Sequence, residues 1–202
     1  LGGNRVFQLI NTLKTLKTFG TFLKEKEKDG WIVSSGYSLK GKGKSKPKVA
    51  NYITGKPHLP TDALTEEGIN YTKVTIEKST LFHRNVQRNK TIFEPPHILI
   101  KTRLGETSLP IGYSEKYLTF KSDIFGIHAP RKVSKELVNV VNKLKNYDVY
   151  KFYLIAVSGK AGIYRSPSVL KKEDIINLPY PDKEEGLVLS KSENITKNDV
   201  VN

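Results

Sequence analysis

The sequence predicts an α+β fold: a mostly antiparallel, strongly twisted sheet over residues 31–128, packed against helices at residues 4–28 and 134–158. Three observations predict it. Apolar residues recur at helical spacing on both flanks, as Val6, Ile10, Leu13 and Leu16 near the start and Leu137, Val141 and Leu144 later. Between them lie short runs rich in β-branched and aromatic residues, separated by turns that carry glycine or proline. A length of 202 residues with 37% hydrophobic content suits one core-forming domain plus an appended segment.

The leading helical segment covers residues 1–28, with Gly20 expected to break or bend it before Phe22 and Leu23. The charge alternation KEKEKD at its end reads as a solvated helix terminus. Residues 31–39 form the first expected strand, with Trp31, Val33, Ser35, Tyr37 and Leu39 on one side of the pleat. Residues 40–48 then place lysine at every second position, Lys40, Lys42, Lys44, Lys46 and Lys48, with Gly, Ser and Pro between. Such a segment cannot pack, and reads as a mobile loop. Thr61 is a possible cap for a short helix stopped by Gly68.

Further strands are expected at residues 73–77, 92–93, 97–103, 109–113, 117–121 and 124–128, the later ones as a meander. Ile98 and Ile100 would face the core, with Lys101 or Arg103 projecting outward, both being candidates for DNA contact. Ser134 and Asp148 can cap two helices, the second with Phe152 and Ile155 inward and Gly159 past its end. Residues 182–202 carry Glu184, Glu185, Glu193 and Asp199 without a sustained apolar face, and read as a loosely attached trailing segment that leads to another helix.

Charge narrows the function. A formal net charge of +14 favours polyanions, of which nucleic acid is the commonest. Each lysine of the 40–48 loop could displace a condensed counterion from a phosphate backbone; a solvated loop without a ligand is the alternative. The stretch 81–90 (LFHRNVQRNK) holds Arg84, Asn85, Gln87 and Arg88, side chains able to pair with base edges in a major groove, although an ordinary polar loop would look the same. His58 reads as a packed or solvated histidine rather than a ligand, and His128 as a structural one.

Several chemistries are excluded or disfavoured. There is no cysteine, hence no disulfide and no thiolate metal site. No apolar run approaches a membrane span and no signal peptide opens the chain, so a cytoplasmic location is expected. Gly43-Lys44-Ser45 mimics the end of a phosphate-binding loop, but Ser38 stands where that motif needs glycine. No nucleophile motif or clustered ligand spacing is present, and neither catalytic nor metal-binding residues are assigned. The chain opens on Leu-Gly-Gly and contains no methionine, so we expect it to begin inside a longer or processed protein.

Five motifs occur in a telling order: Gly55-Lys56-Pro57-His58-Leu59-Pro60 followed by Gly68-Ile69; Pro96-His97-Ile98-Leu99-Ile100-Lys101; Phe125-Gly126-Ile127-His128; two helices and then Gly162-Ile163-Tyr164-Arg165; and Asp174-Ile175-Ile176-Asn177-Leu178-Pro179-Tyr180-Pro181. This order resembles the C-terminal target-recognition domain of adenine-specific DNA methyltransferases of restriction–modification systems, related to the specificity subunits of type I enzymes. The resemblance covers most of residues 31–181, and its departures fall in the loops. It implies a target-recognition-domain-like fold over residues 1–181 that binds double-stranded DNA, with Arg165 among the contact residues or in a turn that buttresses the helical pair.

It also implies a catalytic domain elsewhere in the same parent chain that binds S-adenosylmethionine and methylates an adenine flipped from the duplex. No cofactor is expected in the present chain. Phe93-Glu94-Pro95-Pro96-His97 departs from the Asn/Asp-Pro-Pro-Tyr/Phe motif of amino-methyltransferases at both informative positions, so it is not read as an active site. Whether the parent also carries an endonuclease is left open by the resemblance. A basic RNA-binding module is the alternative function, disfavoured because the aromatics fall mostly at expected core positions rather than on a stacking surface.

Overall fold

A computed structural model describes residues 3–41, 46–83, 87–103, 108–146, 148–158, 170–181 and 188–201. The fold is α+β, with a mostly antiparallel sheet flanked by helices. The chain opens with α1 (Asn4–Lys14) and α2 (Phe19–Lys26), which bury Leu9, Leu13, Phe19 and Leu23. The helical run breaks at Thr15–Thr18 rather than at Gly20. Thr18 has extended backbone and its hydroxyl accepts from the Thr21 N–H (3.1 Å), so it starts a new helix instead of continuing the old one. Gly20 lies inside α2, against Ile176.

Among the described residues nine strands follow: β1 (Ile32–Ser35), β2 (Lys48–Val49), β3 (Pro57–Leu59), β4 (Thr75–Ile76), β5 (Leu81–Phe82), β6 (His97–Lys101), β7 (Ile111–Ser114), β8 (Thr119–Phe120) and β9 (Ile124–His128). The main sheet has the order β1-β9-β6-β7, antiparallel throughout. The expected meander is not what forms. β8 leaves the main sheet to pair in parallel with β3 in a small β4-β3-β8 sheet, and β9 returns between β1 and β6. β2 and β5 make a separate two-stranded ribbon.

Both faces of the main sheet are covered, which is why β6 reads as an unbroken apolar run. Ile98, Ile100, Phe125 and Ile127 belong to the core on the helical side, whereas Leu99 and Ile124 belong to a second core with Tyr37, Phe82, Phe93 and Phe120. On that second side Leu99 is flanked by Gly112 on β7 and Gly126 on β9. A Cβ on Gly126 would lie 2.6 Å from the tip of Phe120 and 2.9 Å from Ile92; one on Gly112 would lie 2.6 Å from Ile69. The glycines make the space into which the second layer packs.

The first strand changes sides midway. Trp31 and Val33 pack with the helical core, as alternation requires, but Tyr37 is buried in the second core. The chain leaves the strand after Ser35 and crosses at Gly36, so the single-face expectation for Trp31 through Leu39 fails there. The expected strand at 92–93 is instead the end of a 3₁₀ helix, Gln87–Phe93. Ile92 and Phe93 are still fully buried, and the Ile92 carbonyl accepts from His97 Nδ1 (2.9 Å). Thr61 likewise lies inside a 3₁₀ turn, Thr61–Ala63, with Pro60 at its N-cap.

The helical layer is completed by α3 (Ser134–Asn146), α4 (Asp148–Ser158), α5 (Lys172–Ile176) and α6 (Lys191–Val201). Ser134 is not a cap: a 3₁₀ turn, Arg131–Val133, runs straight into α3, and Ser134 already has helical dihedrals. The Pro-Tyr-Pro close docks on α2, where Phe19 and Phe22 lie 5.0 and 4.8 Å from the Tyr180 ring. Tyr180 N–H donates to the Lys17 carbonyl and Phe19 N–H to that of Leu178. The trailing segment is less detached than its composition suggests. α6 packs against α4 and α1, with Thr196 buried, Val200 and Val201 against the core, and Lys197 3.3 Å from Asp148.

Candidate nucleic-acid interface

Sheet register decides which basic residues meet. β1 and β6 are both antiparallel to β9, so they run the same way and their C-terminal ends open at one end of the sheet. After β1, Gly36 N–H donates to Ile124 O (3.1 Å), Tyr37 N–H to Phe120 O (3.1 Å), and Ser122 N–H back to Tyr37 O (2.8 Å). The chain is thereby held on the β8–β9 turn, which carries Lys121. A Ser38 hydroxyl turn follows, accepting from Lys40 N–H (3.2 Å), and leaves Lys40 exposed. His83 N–H donates to Ser38 O (3.0 Å), which brings the β2–β5 ribbon with its exposed Lys48 alongside, and Lys46 just before it.

After β6, Lys101 N–H donates to Pro110 O (3.0 Å) and Thr102 N–H to Asp123 O (2.9 Å). The Thr102 carbonyl accepts from Leu170 N–H (3.1 Å), so Lys171 and Lys172 are delivered to the same end, with Lys172 Nζ 5.4 Å from the Phe125 ring centre. Lys40, Lys46, Lys48, Lys101, Arg103, Lys121, Lys171 and Lys172 thus come from four separate stretches of sequence to one edge of the molecule. Lys40, Lys46, Lys48 and Lys121 are exposed and have no ion-pair partner among the described residues. Carboxylates are interspersed rather than matched: Asp123 is exposed at the turn, and Asp62 is engaged by Lys73 (3.0 Å), which with Lys101 holds its carboxyl below the usual range.

A buried polar group underlies this edge. The Tyr37 hydroxyl donates to the Glu77 carboxylate, and His58 Nδ1 lies 3.1 Å from the same hydroxyl and 4.0 Å from Glu77. Glu77 also accepts from Ser79 N–H (2.9 Å). Burial pushes the Tyr37 phenol well above its ordinary value, and Glu77 adds to the shift. Burial alone would raise the Glu77 carboxyl, but the donors Tyr37 and Ser79 outweigh it and hold the group below the usual carboxylate value. His58 is lowered by burial, with Lys121 acting the same way and Glu77 opposing. All three side chains are buried, so the group fixes the strand ends from which the lysines emerge rather than meeting a ligand. Of the two alternatives that the sequence leaves open for His58, packed or solvated, the structure has the packed one.

At the opposite end of the sheet a cavity of about 280 Å³ is lined by Pro95, Pro96, Glu115, Arg131 and Ser134. At this end Tyr113 donates to Glu115 (2.8 Å), and His128 Nδ1 donates to the Glu94 carbonyl (2.9 Å). Among the described residues no group of three or more His, Asp or Glu side chains is arranged to hold a metal ion. Among them, too, no helix is long and apolar enough to cross a membrane.

Of the residues expected to contact nucleic acid, five (Lys40, Lys46, Lys48, Lys101, Arg103) are gathered at this edge. Gln87 and Arg88 open the 3₁₀ helix packed beside β1 and β9, and only their backbone is described. Lys42, Lys44, Arg84, Asn85 and Arg165 lie outside the described residues. Sequence reading passed over Lys121, Lys171 and Lys172, because only strand register and the Leu170–Thr102 hydrogen bond bring them here. Comparison with protein-family models and with curated protein sequences yields no match for this chain.

Proposed function

We propose that this chain recognises a specific sequence in double-stranded DNA. In this reading it is the specificity domain of an adenine-specific DNA methyltransferase of a restriction–modification system. The observation that carries the DNA part is the convergence of basic residues from four stretches onto one sheet end. Such an edge can track phosphates while loop side chains between them reach base edges. The aromatics near it, Tyr37, Phe82 and Phe125, are all fully buried, which favours a duplex over a single strand that would need exposed rings for stacking.

The methyltransferase part rests on the ordered motifs of residues 31–181. In this reading the chain selects and orients DNA in the cytoplasm and catalyses nothing itself. A separate catalytic domain of the same parent chain supplies S-adenosylmethionine chemistry to a flipped adenine. The test is fluorescence anisotropy with a random duplex, the same sequence as RNA, and a single strand, across a salt series. Duplex preference with a steep logarithmic salt slope is expected. Absence of duplex binding even at low salt refutes the proposal for this chain, and preference for RNA moves the function to the RNA-binding alternative.

A further inference from the structure

The outer face of the β2–β5 ribbon is apolar in the middle of a basic edge. Val49 and Leu81 are direct cross-strand partners, so their side chains leave the ribbon on the same face, 59% and 50% exposed. Phe82, the next residue of β5, points the other way into the second core, where its ring meets Tyr37 edge-on at 5.1 Å. The ribbon is therefore anchored on one face and open on the other. Leu39, 38% exposed, lies in the adjoining segment that Ser38 ties to His83. Gly41 presses on the His83 ring, where an added Cβ would lie 2.4 Å from Nδ1, so this segment runs close beside β5.

Lys40 adjoins Leu39 and Lys46 precedes β2, while Lys48, the cross-strand partner of Phe82, leaves the ribbon on its other face; the occupant has to satisfy both the apolar and the basic features. A protein partner would need carboxylates placed around its apolar face to answer the lysines, and a second copy of this chain would bring its own positive charge against them. Duplex DNA satisfies both. A two-stranded ribbon fits the major groove, about 12 Å wide, and the apolar feature presented there is the 5-methyl group of thymine. Phosphates on either side of the groove meet the lysines.

We infer that the ribbon enters the major groove and that Val49 and Leu81 read thymine methyl groups, the apolar part of sequence selection. This rests on the proposed DNA recognition, and the test separates the two. A randomised duplex pool is taken through selection with the full chain, and the recovered duplexes are compared with the same sequences synthesised with deoxyuridine for thymidine, which removes only the methyls. Affinity should fall about 4-fold for each methyl in contact. The Val49→Ser/Leu81→Ser variant, whose thermal midpoint should stay close to the parent's because both side chains are exposed, should bind the thymidine duplexes more weakly and no longer distinguish the two sets. Equal affinity of the parent chain for both sets overturns the inference while leaving DNA recognition intact. Absence of duplex binding overturns both. Conversion of a dimer to a monomer by the double substitution overturns it as well, by assigning the face to self-association.

Discussion

Replacing Lys40, Lys46 and Lys48 together by glutamine tests the DNA edge where it is most exposed. These side chains carry no ion pair among the described residues, so the loss of each should change stability by no more than about 0.5 kcal/mol. If each neutralises one phosphate, the logarithmic salt slope of duplex binding should shrink by about 2.7, since each contact contributes about 0.9. Between roughly 50 and 200 mM salt, the parent chain should then lose about 40-fold more affinity than the variant. Anisotropy titrations at several salt concentrations measure this directly. A control variant, Lys24→Gln/Lys28→Gln/Lys135→Gln, removes the same charge from exposed positions on the helical side and should leave the slope nearly unchanged. A slope change below about 1 in the edge variant, or equal changes in both variants, would refute the placement of DNA at this sheet end.

Acid should destabilise the fold in a histidine-dependent way. Burial lowers His97 from the ordinary 6.5 to about 4, so its stabilising share is fully present above pH 6.5 and is lost as pH falls toward 4. That share is about 3 kcal/mol at most, and His58 adds to it in the same direction. Urea unfolding of His97→Asn should show a flatter pH profile over that window; parallel profiles would contradict the assignment. Tyr37→Phe leaves Glu77 buried with one donor fewer, and should cost about 1–3 kcal/mol by urea unfolding at neutral pH. It should also raise the Glu77 carboxyl toward its ordinary value, so that the share of stability lost as pH falls below about 4.5 is smaller than in the parent. An unchanged midpoint would mean that the hydroxyl contact is dispensable. Gly126→Ala forces a methyl into Phe120 and Ile92 and should cost about 1–3 kcal/mol. Gly36→Ala should cost more, because its Cβ would meet the backbone oxygens of Phe120 and Lys121 at 2.0 and 2.6 Å, and backbone cannot turn away as a side chain can. Denaturation midpoints in the reverse order would show that the β1 crossing is more pliable than described.

What the sequence determined by itself was whatever depends on neighbours along the chain. Helical spacing at Val6, Leu13, Leu137, Val141 and Leu144 and the apolar run of β6 were legible because each element's burial is written in its own period. The α+β class followed from the order of those elements. The lysine alternation at 40–48 was equally plain as a pattern, but the loop expected there ends early, since Lys48 stands in β2, and residues 42–45 lie outside the described residues. Tertiary structure decided everything that depends on partners distant in sequence. β9 is inserted between β1 and β6, although β7 and β8 precede it in the chain, because hydrogen-bond pairing is satisfied across space and not in order. Gly36 moves Tyr37 to the opposite core, which local alternation cannot express. Ile92 and Phe93 are buried as a 3₁₀ turn rather than a strand, because the core needs their side chains and not their edges. The basic edge itself is of this second kind: Lys121 and Lys172 join Lys40 and Lys101 only because sheet register and one hydrogen bond from Leu170 to Thr102 bring distant turns to the same end.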